Sequence, residues 1–201
     1  MSRLRVGVLV SGTGSLLQAI LDEQDDSYEV AVVLSDRPGV QALERAARAG
    51  VPIVVVDWTD YGKERRSGFS DAVRAALTQH GVDLVSQAGF MRILSPNYVR
   101  AFAGRIMNSH PALLPAFPGA HGVRDAMEGG VKVTGATIHF VDEEVDHGPI
   151  ITQEAVEVRA DDTEDSLHER IKAVEQRLFV DAIRLFAQGR LKVEGRRVHI
   201  L

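Results

Sequence analysis

Asn108 and His110 stand two residues apart in a run that reads as a strand, Arg105 to Ser109, just before Pro111. Side chains alternate across a strand, so the carboxamide and the imidazole emerge on one face, and the proline ends regular pairing beyond them. Two N–H donors then converge on one point, which suits acyl transfer. When an amine attacks a carbonyl carbon, the oxygen becomes an oxyanion that such donors stabilise, and losing one typically costs ~10²- to 10³-fold in rate. A buried imidazole tends to be neutral, so a donating imidazolium needs a carboxylate nearby. Asp146, in the loop Asp142-Glu143-Glu144-Val145-Asp146-His147-Gly148-Pro149, is the candidate. The Gly148-Pro149 bend could turn it inward, where it would take a proton from the amine through a water. From residue type alone, a solvated acidic loop stays open for this segment.

A second constellation lies near the start. Ser11-Gly12-Thr13-Gly14-Ser15 falls between the first strand-like run and the first helical one. A glycine-rich turn there exposes backbone N–H groups, and the helix N-terminus favours an anion, so phosphate is the functional reading and a tight turn without ligand the structural one. A dinucleotide fingerprint would need its third glycine where Leu17 stands. Asp36, at the end of the second strand, could hold a cofactor ribose, which keeps a nicotinamide-dependent oxidoreductase as a rival reading. With no cysteine in the chain, thiolate zinc sites, iron–sulfur clusters and a Cys nucleophile are excluded. No metal-ligand cluster stands out, and no metal is expected.

The elements that must position these residues alternate. Short β-branched runs (Val6 to Val10, Val30 to Leu34, Ile53 to Val56, Leu84 to Ala88) are separated by amphipathic stretches (Ser15 to Glu23, Val40 to Ala49, Ser67 to Gln79). Continuous apolar strands between helices predict a Rossmann-like α/β fold, a mostly parallel twisted sheet with helices on both faces. Gly50-Val51-Pro52 and Gly81-Val82-Asp83 each stop a helix. Further on, Val133 to Val141 and Ile150 to Val158 alternate as strands, and a long helix opens at Asp162-Thr163 and closes at Gly189. Its apolar stripe is Leu167, Ile171, Val174, Leu178, Ala182 and Phe186. The tail, Leu191 to Ile200, predicts a hairpin around a Glu-Gly turn.

Length and composition frame these expectations. At 201 residues, 45% apolar and 25% charged, the chain suits a single domain, with residues 1–100 holding the candidate phosphate loop and residues 101–201 the candidate catalytic residues. A net charge of -5 argues against a backbone-neutralising nucleic-acid binder. The absence of a membrane-length apolar run and of a signal-peptide pattern predicts a cytoplasmic protein.

Five segments in register resemble the glycinamide ribonucleotide formyltransferase family: Ser11 to Ser15, Ala88-Gly89-Phe90-Met91-Arg92-Ile93-Leu94, Asn108-Ser109-His110-Pro111-Ala112-Leu113-Leu114-Pro115, Phe117-Pro118-Gly119, and Asp146-His147-Gly148-Pro149-Ile150-Ile151. The resemblance implies transfer of a formyl group from 10-formyltetrahydrofolate, as co-substrate, to the amine of glycinamide ribonucleotide in purine biosynthesis. It implies a catalytic trio of Asn108, His110 and Asp146. Gly12, Thr13, Gly14, Ser15 and Leu16 match the phosphate loop, and Glu175 matches a helix carboxylate that binds the ribose hydroxyls. Many relatives carry Asn where this chain has Leu16, which puts phosphate affinity in question. Met91, Arg92, Ile93 and Leu94 match the pterin-lining segment, Asp142, Glu143, Glu144, Val145 and Asp146 the facing loop, and Arg66 an arginine near the benzoylglutamate. His121 and His139 match histidines that would stand behind the reacting groups. The implied partners are the two small molecules, with no nucleic acid and no membrane, and a homodimer stays open. Methionyl-tRNA formyltransferase and formyltetrahydrofolate hydrolase share the chemistry but are expected to carry additional domains, and a noncatalytic phosphate- or folate-binding module would bind without turnover.

Overall fold

Both faces of the first strand are apolar in sequence, and in the computed structural model, which describes residues 2–62 and 65–201, both are buried. In β1 (Leu4–Val10), Val6, Val8 and Val10 on one face and Leu9 on the other are fully buried, as in a strand covered from both sides. Parallel partners flank it: β2 (Tyr28–Ser35) and β4 (Leu84–Gln87), with β3 (Ile53–Val55) outside β2, in the order β3-β2-β1-β4. Parallel neighbours need crossovers. These are α1 (Ser15–Asp22), α2 (Gln41–Arg48) and α3 (Arg65–Gln79). α3 packs so closely on β1 that a Cβ at Gly7 would lie 2.7 Å from the Leu77 side chain.

The chain forms two compact units, one ending at Met107 and the other spanning Asn108–Leu201. The division falls inside β5 (Ile106–His110), so Asn108 and His110 both belong to the second unit. There β6 (Val133–Phe140) and β7 (Ile150–Glu157) are antiparallel, β7 is parallel to β9 (Arg197–Ile200), and β9 is antiparallel to β8 (Leu191–Glu194). The Rossmann-like α/β fold is as expected, with the antiparallel pairs described confined to the second unit.

α6 (Glu164–Ala187) opens on a capping box between Thr163 and Ser166 and packs on β6, β7 and α5 (Gly122–Glu128). Leu167, Ile171, Leu178 and Ala182 of its stripe are buried, while Val174 and Phe186 are only half-buried. In the hairpin, Glu194 pairs with Arg197, so the turn is Gly195-Arg196 rather than Glu-Gly, and Gly195 supplies a φ of 61°. The sequence reading gave no sign of α4 (Pro96–Ala101), α5 or a 3-10 turn at Trp58–Tyr61. Each is two turns or fewer, too short for a periodicity to emerge.

Candidate active site

Strand alternation in β5 does what the residue spacing predicts. Asn108 and His110 share a face, and Ser109 points the other way, to Glu175. His110 is 3% exposed and its Nε2–H donates to the Phe117 carbonyl at 2.6 Å. A carbonyl can only accept, so that nitrogen carries a proton in either charge state. Nδ1 is left 3.4 Å from Asp146 Oδ2. For His110 to donate from Nδ1 to a substrate oxygen, both ring nitrogens must be protonated, and the facing carboxylate compensates that charge.

Asp146 reaches this place because its loop turns back sharply between β6 and β7. The Phe140 N–H donates to the Pro149 carbonyl at 2.9 Å, and Gly148 fits so tightly that a Cβ there would fall 1.8 Å from the Phe140 oxygen. The Gly119 N–H donates to Asp146 Oδ2 at 2.7 Å. Phe117 (φ 54°) and Asp146 (φ 52°) are the two non-glycine residues with left-handed backbone among the described residues, and both touch His110. Strain of about 1–3 kcal/mol per such residue persists only where the surroundings hold it in place. The segment after His110 is pinned as well: the Leu114 N–H donates to Thr137 Oγ1, whose hydroxyl donates to the Ala112 carbonyl. Gln153 donates to both Leu114 O and Thr137 Oγ1.

The two other histidines expected near this cluster, His121 and His139, part ways. His139 is buried, and its Nδ1–H donates to the Phe140 carbonyl at 2.9 Å. Burial holds its pKa below the ordinary value, although the Phe140 carbonyl and Asp146 oppose that shift. Neutral Nε2 is then an acceptor, and the Asn108 amide nitrogen lies 3.5 Å away. One carboxamide N–H is thereby fixed on His139, and the second remains to bind a reacting oxygen. His121 does not join this shell: it is exposed, at the N-cap of α5, with no side-chain capping bond. Its neighbour Gly122 is the residue that matters, since a Cβ there would lie 2.9 Å from His110 Nε2. The sequence reading passed over Gly122, Thr137, Gln153 and the backbone groups of Phe117 and Gly119. Only the Phe117-Pro118-Gly119 motif hinted at any of them, because backbone donors and missing side chains leave little trace in residue type.

Glu175 lies on the buried side of α6, and burial pushes its carboxyl from 4.5 up to about 7, against the opposing pull of the Ser109 hydroxyl and Lys172. A raised pKa means the folded state holds the proton more tightly than the unfolded chain. The stabilisation is therefore complete below pH 4.5 and is lost as pH rises to about 7. Its size is roughly 3 kcal/mol. Wild-type protein is expected to gain thermal stability between pH 8 and pH 5, and Glu175→Gln to flatten that slope and be the more stable at pH 8. Parallel melting curves for the two proteins would disprove this.

The first unit carries the expected phosphate loop and the Met91–Leu94 segment. The N-cap of α1 is Gly14 in left-handed backbone (φ 73°), which brings no side-chain cap, and the first turn holds no acidic residue. Gly14 is needed for packing, because a Cβ there would meet Ala42 Cβ at 2.7 Å. Gly12 has nothing within 4 Å of such an atom, and Thr13 is exposed. Leu16 is buried in the helix core, so it offers the loop only its backbone.

Met91 and Ile93 are 68% and 58% exposed, on a segment whose ends are fixed. The Met91 N–H donates to Ser11 Oγ, and the Arg66 guanidinium donates to the Leu94 carbonyl at 2.7 and 3.2 Å. The Arg92 side chain turns away from this surface, donating to Asp36 Oδ2 at 2.6 Å and lying over the Trp58 ring. Asp36 is fully buried and engaged in that pair, which removes the acid an oxidoreductase would use for its ribose. In the second unit, Asp142 accepts from His147 Nδ1 and the Glu144 N–H, Arg196 contacts His147 Nε2, and Glu143, Glu144 and Val145 are exposed. Among the described residues no group of His, Asp or Glu could hold a metal ion, and no helix is long and apolar enough to cross a membrane.

Known proteins are similar to this chain over nearly all of its length. Phosphoribosylglycinamide formyltransferase of Mycobacterium tuberculosis is 50% identical over 194 residues, 96% of this chain and 89% of that protein. Trifunctional purine biosynthetic protein adenosine-3 of Gallus gallus is 45% identical over 195 residues, but the chain spans only 19% of its length. The crystal structure of glycinamide ribonucleotide transformylase 1 from Symbiobacterium toebii superposes with a TM-score of 0.96 at 51% identity, covering 100% of this chain and 95% of that one. The formyl transferase family matches residues 4–183, a span that holds the Asn108–His110–Asp146 cluster, and the chain belongs to that family.

Proposed function

We propose that the chain transfers the formyl group of 10-formyltetrahydrofolate to the amine of 5'-phosphoribosylglycinamide, in the cytoplasm, as a step of purine biosynthesis. The observation that carries this reading is the cluster in which Asn108 and His110 each have one N–H committed to protein and Asp146 faces the other nitrogen of His110. The amine attacks the formyl carbon, and the oxygen gains negative charge that the second Asn108 N–H and the His110 Nδ1–H stabilise. Asp146 accepts the amine's proton through a water, and a proton returns to the folate nitrogen as its bond to the formyl carbon breaks. The first proton movement ends at this carboxylate and the second starts from it, so Asp146 is left as it began. The α1 N-terminus and its loop suit the substrate phosphate, Glu175 the ribose hydroxyls, and the exposed Met91 and Ile93 the flat pterin.

The direct test is conversion of 10-formyltetrahydrofolate to tetrahydrofolate that depends on the phosphorylated amine. Formate release without the amine would replace this reading by the hydrolase one, and ligand binding without turnover by a noncatalytic module. Gly12→Val is expected to raise KM for the phosphorylated amine about tenfold with little change for the folate, because the new side chain meets ligand and not protein. Ile93→Asp is expected to do the reverse, by placing a charge against an apolar ring. Equal changes in both KM values would mean these segments do not serve separate ligands.

A further inference from the structure

The loop read as the phosphate site has no side-chain donor at position 16, where Leu16 is buried in the core of α1. Its main chain must then do the binding, and α2 is what aims it. The Ala42 N–H donates to the Gly12 carbonyl at 3.1 Å, and Arg45 Nε donates to the Thr13 carbonyl at 2.8 Å. Two successive carbonyls are thereby drawn towards α2. Both peptides are trans, so each N–H points opposite to the carbonyl it shares a plane with. The Thr13 and Gly14 N–H groups therefore face away from α2. The left-handed backbone of Gly14 (φ 73°) follows them, the kind of turn in which successive N–H groups form an anion-binding concavity.

The Ala42 bond is made by main chain and survives substitution there, whereas the Arg45 bond is made by a side chain that is itself braced. Arg45 Nη1 donates to Gln18 Oε1 at 3.0 Å, and Gln18 Nε2 donates to Asp22 Oδ1 at 2.7 Å, one turn further along α1. The stem of Arg45 lies against the loop, since a Cβ on Gly14 would be 3.5 Å from Arg45 Cδ. Both acceptors of the guanidinium are neutral, and Arg45 forms no ion pair among the described residues. We propose that Arg45 is a positioning residue for the substrate phosphate: by holding the Thr13 carbonyl it aims the Gly14 N–H at the anion, and so supplies through the backbone the affinity that a side-chain donor at position 16 would give. The proposal rests on the phosphate reading of Gly12 to Leu16. A phosphate takes no part in the bonds made and broken, so its contacts hold ground state and transition state alike and show in KM rather than in kcat. Orientation also persists in salt, whereas a through-space attraction by the guanidinium would be screened.

The test measures KM for the phosphorylated amine, and for the same amine without its phosphate, in wild type, Arg45→Ala and Arg45→Lys. Arg45→Ala is expected to raise KM for the phosphorylated amine about tenfold, at low salt and at about 0.5 M alike, with kcat and the folate KM within about twofold of wild type. Arg45→Lys, which keeps a donor for the Thr13 carbonyl, is expected to recover much of that loss. KM for the amine without phosphate should be the same in all three proteins. An unchanged KM for the phosphorylated amine in Arg45→Ala would overturn the proposal while the formyl-transfer reading stands. A loss that falls equally on both amines, or that disappears in salt, would overturn it too. Equal KM values for the two amines in wild type would instead remove the phosphate reading on which it rests. If Arg45→Ala does not fold, titration of wild type with inorganic phosphate decides: the Thr13 and Gly14 amide proton resonances are expected to shift, and their staying put while phosphate still competes with the phosphorylated amine would overturn the proposal.

Discussion

His110→Ala and Asp146→Asn are each expected to lower kcat by about 10²- to 10⁴-fold while changing the binding of either substrate only modestly. His110 Nδ1 is the ring nitrogen not bound to the Phe117 carbonyl, and it faces Asp146 Oδ2 at 3.4 Å. Removing the imidazole takes away a donor that matters most once the oxygen is charged. Neutralising Asp146 takes away both the counter-charge for that donor and the acceptor for the amine's proton. Because one carboxylate oxygen serves the pair, the double variant should be little worse than the worse single one, the behaviour of groups that act as a unit. Steady-state kinetics on folded variants decides this. Near-normal turnover in either single variant would show that the cluster is not where the formyl group reacts.

Gly148→Ala should do comparable damage without touching a reacting group. Its added Cβ would lie 1.8 Å from the Phe140 oxygen, 2.8 Å from the Phe140 carbonyl carbon and 3.2 Å from the Asp142 nitrogen. All three are backbone atoms, so no side chain can swing aside. The end of β6 and the return loop must separate, the Phe140 N–H to Pro149 O bond stretches or breaks, and Asp146 moves away from His110 and Gly119. The expected result is a kcat lower by about 10²-fold or more together with a fall in stability of about 1–3 kcal/mol. Circular dichroism separates a folded but misaligned variant from an unfolded one. A folded variant with normal kcat would mean that the tight return is not what presents Asp146.

Much of this architecture was legible along the chain because it depends on period and punctuation. The βα alternation up to β4, the capping of α6 at Thr163 and its end near Gly189 follow from local propensities that tertiary packing did not override. The alternation at Asn108, Ser109 and His110 likewise put Asn108 and His110 on one face and Ser109 on the face that meets Glu175, since the period of a strand is a property of the backbone.

Other features could be decided only in three dimensions. Asp36 ends a strand in the manner of a ribose-binding acid, yet burial pairs it with Arg92, 56 residues away, and so ends that role. His121 and His139 are the same residue type, but one is exposed at a helix start and the other buried behind Asn108. The proton arrangement of His110 depends on a carbonyl of Phe117, and the place of Asp146 on an N–H of Gly119 and on the lack of a side chain at Gly148. The sequence by itself determined which residues could carry charge and protons and on which face of β5 they stand. The tertiary structure alone decided which of them meet, because backbone donors and close approaches depend on distance between segments far apart in the chain.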